Sequence, residues 1–320
     1  MPTVRELRDA HAGLSDARGA LDAGITWGAI VAVVAFAHAA AHPLAYLAAA
    51  AVIGGLQHAL VNLAHEAWHR LAFRSRGWND LAGAWLYSYP IGVPFHHDRE
   101  RHLRHHRLVG QPEDPDWVNY RNEGRLPAAR LLAYLAGRLA GSQLVGTAKS
   151  ILLDRRPPIA VAPRAGAAEA GPEVRSELLR IAAVQLVLFL GFALFARWWE
   201  YLVLWLGPLA TFASLFVSIR AFVEHSAASD AVAPQQRLHD FAPGRVEAFF
   251  LSPRHFHHHA LHHAHPNVPH YRLPAFDRAL RAAGHDWPGS REGGYLGLLR
   301  RHLARIGSGA GAAVRPEGGH

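Results

Sequence analysis

Three short stretches of the 320-residue chain carry histidines at spacings that can do metal chemistry. They are His65-Glu66-Ala67-Trp68-His69, His102-Leu103-Arg104-His105-His106 and His259-Ala260-Leu261-His262-His263. Residues three and four apart share a helical face, so each stretch can aim its imidazoles at one point. The first stretch alone has the H-E-x-x-H pattern of a helical zinc protease, with Glu66 as general base. The full set of eight histidines argues for something larger. Imidazoles gathered without a metal repel one another on protonation and gain nothing in packing. Structural zinc takes four ligands and catalytic zinc three plus water, so eight imidazoles exceed the needs of one ion. Two metals sharing them would leave positions for oxygen or water. In such a centre Glu66 is expected to orient a ligand imidazole instead of acting as a base. His58 and Asn62 lie on the face of His65 and His69 and could hydrogen-bond behind the ligands; for His58, plain polar packing within a span is the alternative.

Composition narrows the chemistry further. The chain has no cysteine, which excludes disulfides, thiolate iron–sulfur clusters and cysteine nucleophiles. An electron carrier with such a cluster must be a separate protein. The net charge of +8 is almost all arginine, Lys149 being the one lysine. These arginines flank apolar segments and form no basic helix with interleaved aromatics, so no nucleic-acid partner is expected.

The histidines have to be positioned by apolar elements. Four stretches approach the roughly 20 residues that cross a bilayer. They form two hairpins, at about 25–64 with a turn at His42-Pro43, and at about 178–222 with a turn at residues 197–200. Trp198 and Trp199 suit an interfacial belt. The expected fold is an all-α integral membrane protein: four transmembrane helices in two hairpins, interfacial helices and a cytoplasmic histidine-rich metal-binding cap. Residues 1–24 read as a cytoplasmic lead-in without a cleavable signal, 25–275 as the membrane domain, and 276–320 as a cytoplasmic segment with a disordered tail. Arginines avoid the two tight turns except for Arg197, so the positive-inside rule places both termini and the large middle loop in the cytoplasm, as in a bacterial inner membrane. Pro90 and Pro94 make residues 78–95 re-entrant or interfacial instead of crossing. Residues 126–146 read as an amphipathic helix lying on the membrane, and 157–173 as a flexible linker.

The three histidine stretches, in this order and placed so relative to the hairpins, resemble the three boxes of the membrane fatty acid desaturases and their relatives. The likeness covers roughly residues 45–275 and is strongest in His258–Pro274, where the third box is followed by Pro266, Pro269 and Tyr271-Arg272-Leu273-Pro274. Arg220-Ala221-Phe222-Val223-Glu224-His225 also resembles a family segment ahead of the third box. It nominates His225 as a ninth ligand, with Glu224 beside it as a supporting group. The resemblance implies two iron ions in a non-haem di-iron centre, O2 as co-substrate, and a lipid or acyl substrate held in an apolar tunnel. It also implies an external ferredoxin-like electron donor with its reductase, for which Arg99, Arg101, Arg104 and Arg107 form a candidate docking face. The activity implied is desaturation of an acyl chain. Two departures bear on this. Glu66 stands where many desaturases have Asp and related alkane hydroxylases have Glu, so a carotenoid ketolase or hydroxylase, or an alkane or acyl hydroxylase, remains the alternative. His257 stands where Asn is common and is a further candidate behind the ligands; His255 and His258 have no assigned role. Rivals outside the family are the zinc protease and a histidine-rich metal transporter or store. A transporter would place its ligands mid-membrane, where only His58 lies.

Overall fold

The computed structural model describes residues 1–111, 113–116, 128–142, 145, 172–225, 238–286 and 289–307. The expected linker, up to residue 171, and the tail beyond 307 lie outside the described residues.

Four helices are long and apolar enough to cross a membrane: α2 (Asp16–Ala40), α3 (Pro43–Trp68), α7 (Pro172–Phe195) and α8 (Leu202–Glu224). A short helix α1 (Val4–His11) precedes them. Helix α2 starts nine residues before the apolar run that begins at Ile25. The Ser15 hydroxyl caps it by accepting from the Arg18 N–H at 3.3 Å. Buried Asp22 is tolerated within it because Arg254 (2.6 Å), His270 (3.1 Å) and Arg18 (3.3 Å) surround its carboxylate. The turn to α3 is two residues long: Ala41 takes a left-handed conformation (φ 46°) and His42 Nδ1 caps α3 by accepting from the Leu44 N–H at 3.2 Å. Pro43 opens α3, where a missing N–H costs nothing.

Helix α3 is the central post, buried almost all round from Ile53 to Ala67. Its Gly54 lets α8 approach closely; a Cβ there would sit 2.4 Å from Phe212 Cβ. The second turn is tied to the first hairpin through Glu200, which is fully buried and accepts from Tyr46 (2.5 Å), His38 (3.0 Å) and Arg197 (2.8 Å). Burial alone would raise the Glu200 carboxyl; these donors instead hold it at about 2. Helix α8 starts with wide π turns at Leu202–Leu206 and Leu209–Ala213, around Pro208, which has no N–H to give.

Residues 78–95 form no helix long enough to cross a membrane. Helix α4 (Arg76–Ala82) passes into a π turn (Gly83–Ser88) and a 3-10 turn (Tyr89–Ile91), ended by Gly92 at φ 75°. Irregular backbone at this depth needs partners for its carbonyls. The Trp27 and Trp205 indoles donate to Leu86 O (3.1 Å) and Pro90 O (3.2 Å), and the Gln185 amide donates to Tyr89 O (3.0 Å) and Pro90 O (2.9 Å). The segment delivers the chain into α5 (Phe95–Leu108). The amphipathic stretch forms α6 (Ala128–Leu139), which packs Leu131 and Leu135 on Ile219 and Phe222 of α8 and turns Leu132 and Leu139 outward. The rest comprises β1 (His239–Phe241), α9 (Arg245–Leu251), α10 (His259–Ala264), α11 (Leu273–Ala282), β2 (Ser290–Glu292) and α12 (Tyr295–Gly307). Strands β1 and β2 pair in parallel, a small β element among the described residues that the all-helical reading did not contain. Phe241 stacks on Tyr295 at 3.9 Å and fastens the pair to α12.

A Gly54→Leu substitution is expected to cost about 1–3 kcal/mol by overpacking. Gly28→Ala, where a Cβ meets nothing within 4 Å, is expected to leave stability unchanged or raise it. Thermal unfolding of both variants in detergent checks the pair.

Candidate metal centre

Four elements bring the histidines to one end of the bundle. Helix α3 supplies His65 and, as its C-cap, His69; α5 supplies His102, His105 and His106; α8 ends at His225; α10 supplies His259, His262 and His263. They fall into two groups. His65, His69, His102, His106 and His262 each place a ring nitrogen within 4.8 Å of the others', as do His105, His225 and His263. His259 joins the second group, its Nε2 lying 3.2 Å from that of His225. The groups touch where the His106 and His263 rings stack at 4.1 Å. Nitrogens face each other closely within each group: Nε2 to Nε2 is 2.8 Å for His69 and His102, 3.3 Å for His106 and His262, and 3.2 Å for His105 and His225.

The supports come from distant sequence. Asp240 in β1 accepts from the Ala260 (2.7 Å) and Leu261 (3.3 Å) N–H groups and so caps the helix carrying three of the histidines. The loop before that helix holds Arg254 and His255 in the left-handed region (φ 64° and 59°), a strained state that needs anchoring. Its anchors are Arg254 on Asp22 and Asn62, whose amide donates to Pro253 O at 2.8 Å. The loop presses Phe256 edge-on against His65, with ring centroids 4.6 Å apart.

The sequence-nominated supporting residues divide. His58 donates from Nδ1 to Phe250 O (2.7 Å), leaving Nε2 to accept from Arg220 at 3.2 Å. Arg220 also donates to Asn62 and, at 2.9 Å, to Glu224. The Glu224 carboxylate lies 3.4 Å from His259 Nδ1 and accepts from the Tyr295 hydroxyl at 3.1 Å. His58, Asn62 and Glu224 therefore form one chain of contacts, joined by Arg220 and ending on His259. Glu66 departs from expectation. It accepts from the His270 backbone N–H at 3.0 Å, and among the described residues no histidine of either group donates to it. The reason is positional: Glu66 follows His65 by one residue, about 100° round α3, and so faces the loop after the third box. His257 likewise packs on His258 (4.5 Å) and His255 (5.8 Å), outside both groups.

Sequence reasoning missed Asp114. This buried residue accepts from His105 Nδ1 at 2.9 Å, which fixes the tautomer and turns the bare Nε2 toward His225. The available signal was the acidic run Glu113-Asp114-Pro115-Asp116, shortly after the second box.

Burial first, then neighbouring imidazoles, hold His102, His259, His262 and His263 well below the ordinary histidine range. Burial also brings His69 and His225 to about 3. These rings are neutral at pH 7, the form that ligates metal. Each neutral ring has one N–H to give, and His105 already donates from Nδ1 to Asp114. Nδ1 of His65 and of His106 is buried with no partner. Lone pairs crowded this way are the chemistry of a cation site, and two adjacent groups fit two cations.

Removing a carboxylate behind a ligand weakens metal affinity roughly 10–100-fold. Asp114→Ala is therefore expected to lose metal preferentially from the second group, read as metal per chain after a chelator wash. The metal-free protein is expected to lose stability as pH falls through 6.5, where the unfolded chain takes up protons that the folded rings refuse. Melting curves between pH 8 and pH 5 check the sign.

None of the curated proteins compared matches the chain. The family profile described as fatty acid desaturase matches residues 23–289, a span that includes α3, α7 and α8 whole, α2 from residue 23 onward and the nine clustered histidines. A match over so much of the sequence leaves no room for a different ancestry: the chain belongs to the fatty acid desaturase family.

Proposed function

We propose that the protein is an O2-dependent di-iron oxidoreductase that introduces a double bond into a lipid acyl chain. The carrying observation is the convergence of nine imidazoles, drawn from four separate elements, into two adjacent groups. In this reading His65, His69, His102, His106 and His262 hold one iron, and His105, His225, His259 and His263 hold the other. The bound metals supply the O2 chemistry that attacks an unactivated C–H bond. The chain's own part is to hold each ring in place and keep water away. Asp114 and Glu224 orient His105 and His259, while Phe256 and its cation–π partner Arg220 (4.8 Å) shield His65.

The distribution of arginine supports a cytoplasmic position for the histidine end of the bundle. Electrons then come from a ferredoxin-like partner on that side. Of the candidate docking arginines, Arg99 faces Asp80 at 3.6 Å and Arg101 pairs with Asp116, whereas Arg104 and Arg107 are exposed on α5 and suit an acidic partner.

The test is lipid profiling of a host expressing the protein, with metal analysis of the purified chain. New unsaturated acyl chains and about two irons per chain, the ligand count of paired sites, are expected. His262→Ala is expected to abolish the product. Glu66→Gln, which keeps an acceptor for the His270 N–H, is expected to retain part of it. Hydroxylated or ketolated products would replace desaturation as the reaction; one tightly held zinc and unchanged lipids would overturn the reading altogether.

A further inference from the structure

Away from the histidines, α2 and α7 part to leave an apolar cavity of about 450 Å³, within the roughly 300–1,000 Å³ typical of ligand sites. Val31 and Val34 of α2 face Val187, Gly191 and Phe195 of α7 across it. A Cβ on Gly191 would meet nothing within 4 Å, so the missing side chain widens the slot. Both flanking helices are long enough to cross a membrane, and Val31, Val187 and Phe195 are exposed, so the opening faces the bilayer.

The dimensions select the occupant. From Trp27 at the inner end to His38 at the outer end is eleven residues of α2, roughly 16 Å at 1.5 Å each. That is about half of a ~30 Å hydrocarbon core, the depth of one leaflet. The inner end is closed by the Trp27–Trp205 stack, with ring centroids 5.7 Å apart. The Trp205 carbonyl accepts from Gln57 at 2.8 Å, eight residues along α3 from His65 and thus roughly 12 Å short of the histidines. A chain seated here does not reach the metal centre. The outer end is polar. His38 gives Nδ1 to Glu200 at 3.0 Å, Arg197 donates to the His38 carbonyl at 3.4 Å, and the next residue, Trp198, is exposed; both are residue types that sit at headgroup level.

We propose that this groove binds one acyl chain of a membrane phospholipid, in the leaflet opposite the histidine centre, with the headgroup at His38, Arg197 and Trp198. The chain lies against the two indoles whose N–H groups hold Leu86 O and Pro90 O, and so braces the irregular segment that leads into α5. This site needs neither metal nor turnover and stands apart from the desaturase reading.

The full chain in phosphatidylglycerol nanodiscs, doped with a phosphatidylglycerol bearing a diazirine on its acyl chain, is irradiated and its adducts are mapped. Adducts are expected to concentrate several-fold on residues 31–38 and 187–196 over the outward α3 positions Leu44 and Leu47. Gly191→Trp, which fills the slot, is expected to remove that excess while leaving labelling at Leu44 and Leu47 unchanged. Should that variant fail to fold, Val31→Trp at the exposed rim serves the same purpose. Equal labelling of all lipid-facing positions, or an excess that persists in the filled variant, would overturn the proposal. So would displacement by free fatty acid but not by unlabelled phospholipid, which would identify a single-chain acid as the occupant.

Discussion

The constraint on which the rest of the structure depends is that nine imidazoles, buried or half-buried, must be held nearly touching at one end of a helical bundle. Burial keeps rings such as His102, His259 and His262 neutral, but burial also forfeits the water that would otherwise satisfy their nitrogens. The rings cannot relax into hydrogen bonds with one another, since facing Nε2 atoms such as those of His105 and His225 offer lone pairs to lone pairs once Nδ1 carries the proton. Without cations such a cluster pushes itself apart. The surrounding scaffold has to resist that push.

Much of the architecture can be understood as that resistance. Asp22 in α2 and Arg254 in the loop before α10 form a buried ion pair across more than two hundred residues of sequence, and it pins a loop whose backbone is strained at two consecutive positions. Asp240 caps α10 from β1, the strand that Phe241 also fastens to α12. Arg220 links Asn62, His58 and Glu224 into a continuous path to His259. At the far end Glu200, buried and ionised, gathers His38, Tyr46 and Arg197. The two hairpins are therefore tied at both ends by charge and along their length by packing, which a bilayer alone does not drive strongly.

The features legible in the sequence were those with a long or repeated signal. Apolar runs announced the four spanning helices, and histidines spaced three and four apart announced the ligand candidates, because both patterns are local. Pro90 and Pro94 marked the irregular segment for the same reason. What was not legible depends on pairs that meet only in three dimensions. The acidic run at 113–116 signals a carboxylate near the second box but not which one His105 takes, and nothing local tells that Asp22 belongs with Arg254 or that Glu224 lies beside His259. The start of α2 at Asp16 was hidden because its first turns are polar, and the partners that make Asp22 acceptable there lie in the carboxy-terminal third. Glu66 was misread through a motif: in H-E-x-x-H the eye pairs the acid with its neighbours, whereas the helix turns it toward the His270 backbone.

The supports are not shared evenly between the two histidine groups. The group of five has no carboxylate within 4 Å of its rings among the described residues, and two of its Nδ1 atoms are buried without partners. The other group has four rings: Asp114 accepts from His105 Nδ1, and Glu224 lies 3.4 Å from His259 Nδ1, which like His263 Nε2 is buried without a hydrogen-bond partner. A carboxylate behind an imidazole fixes its tautomer and raises its basicity. The second group thus has a carboxylate beside two of its rings, and the first has more imidazoles but none so accompanied. Chain topology explains the difference. Asp114 follows α5 by a short turn and so meets His105, whereas Glu224 reaches His259 from the end of α8, a different element. His65 has an acid next to it in sequence, Glu66, but that side chain turns to the His270 backbone N–H and leaves the ring without a carboxylate. Two metals held here would occupy chemically different seats even though every proposed ligand is a histidine.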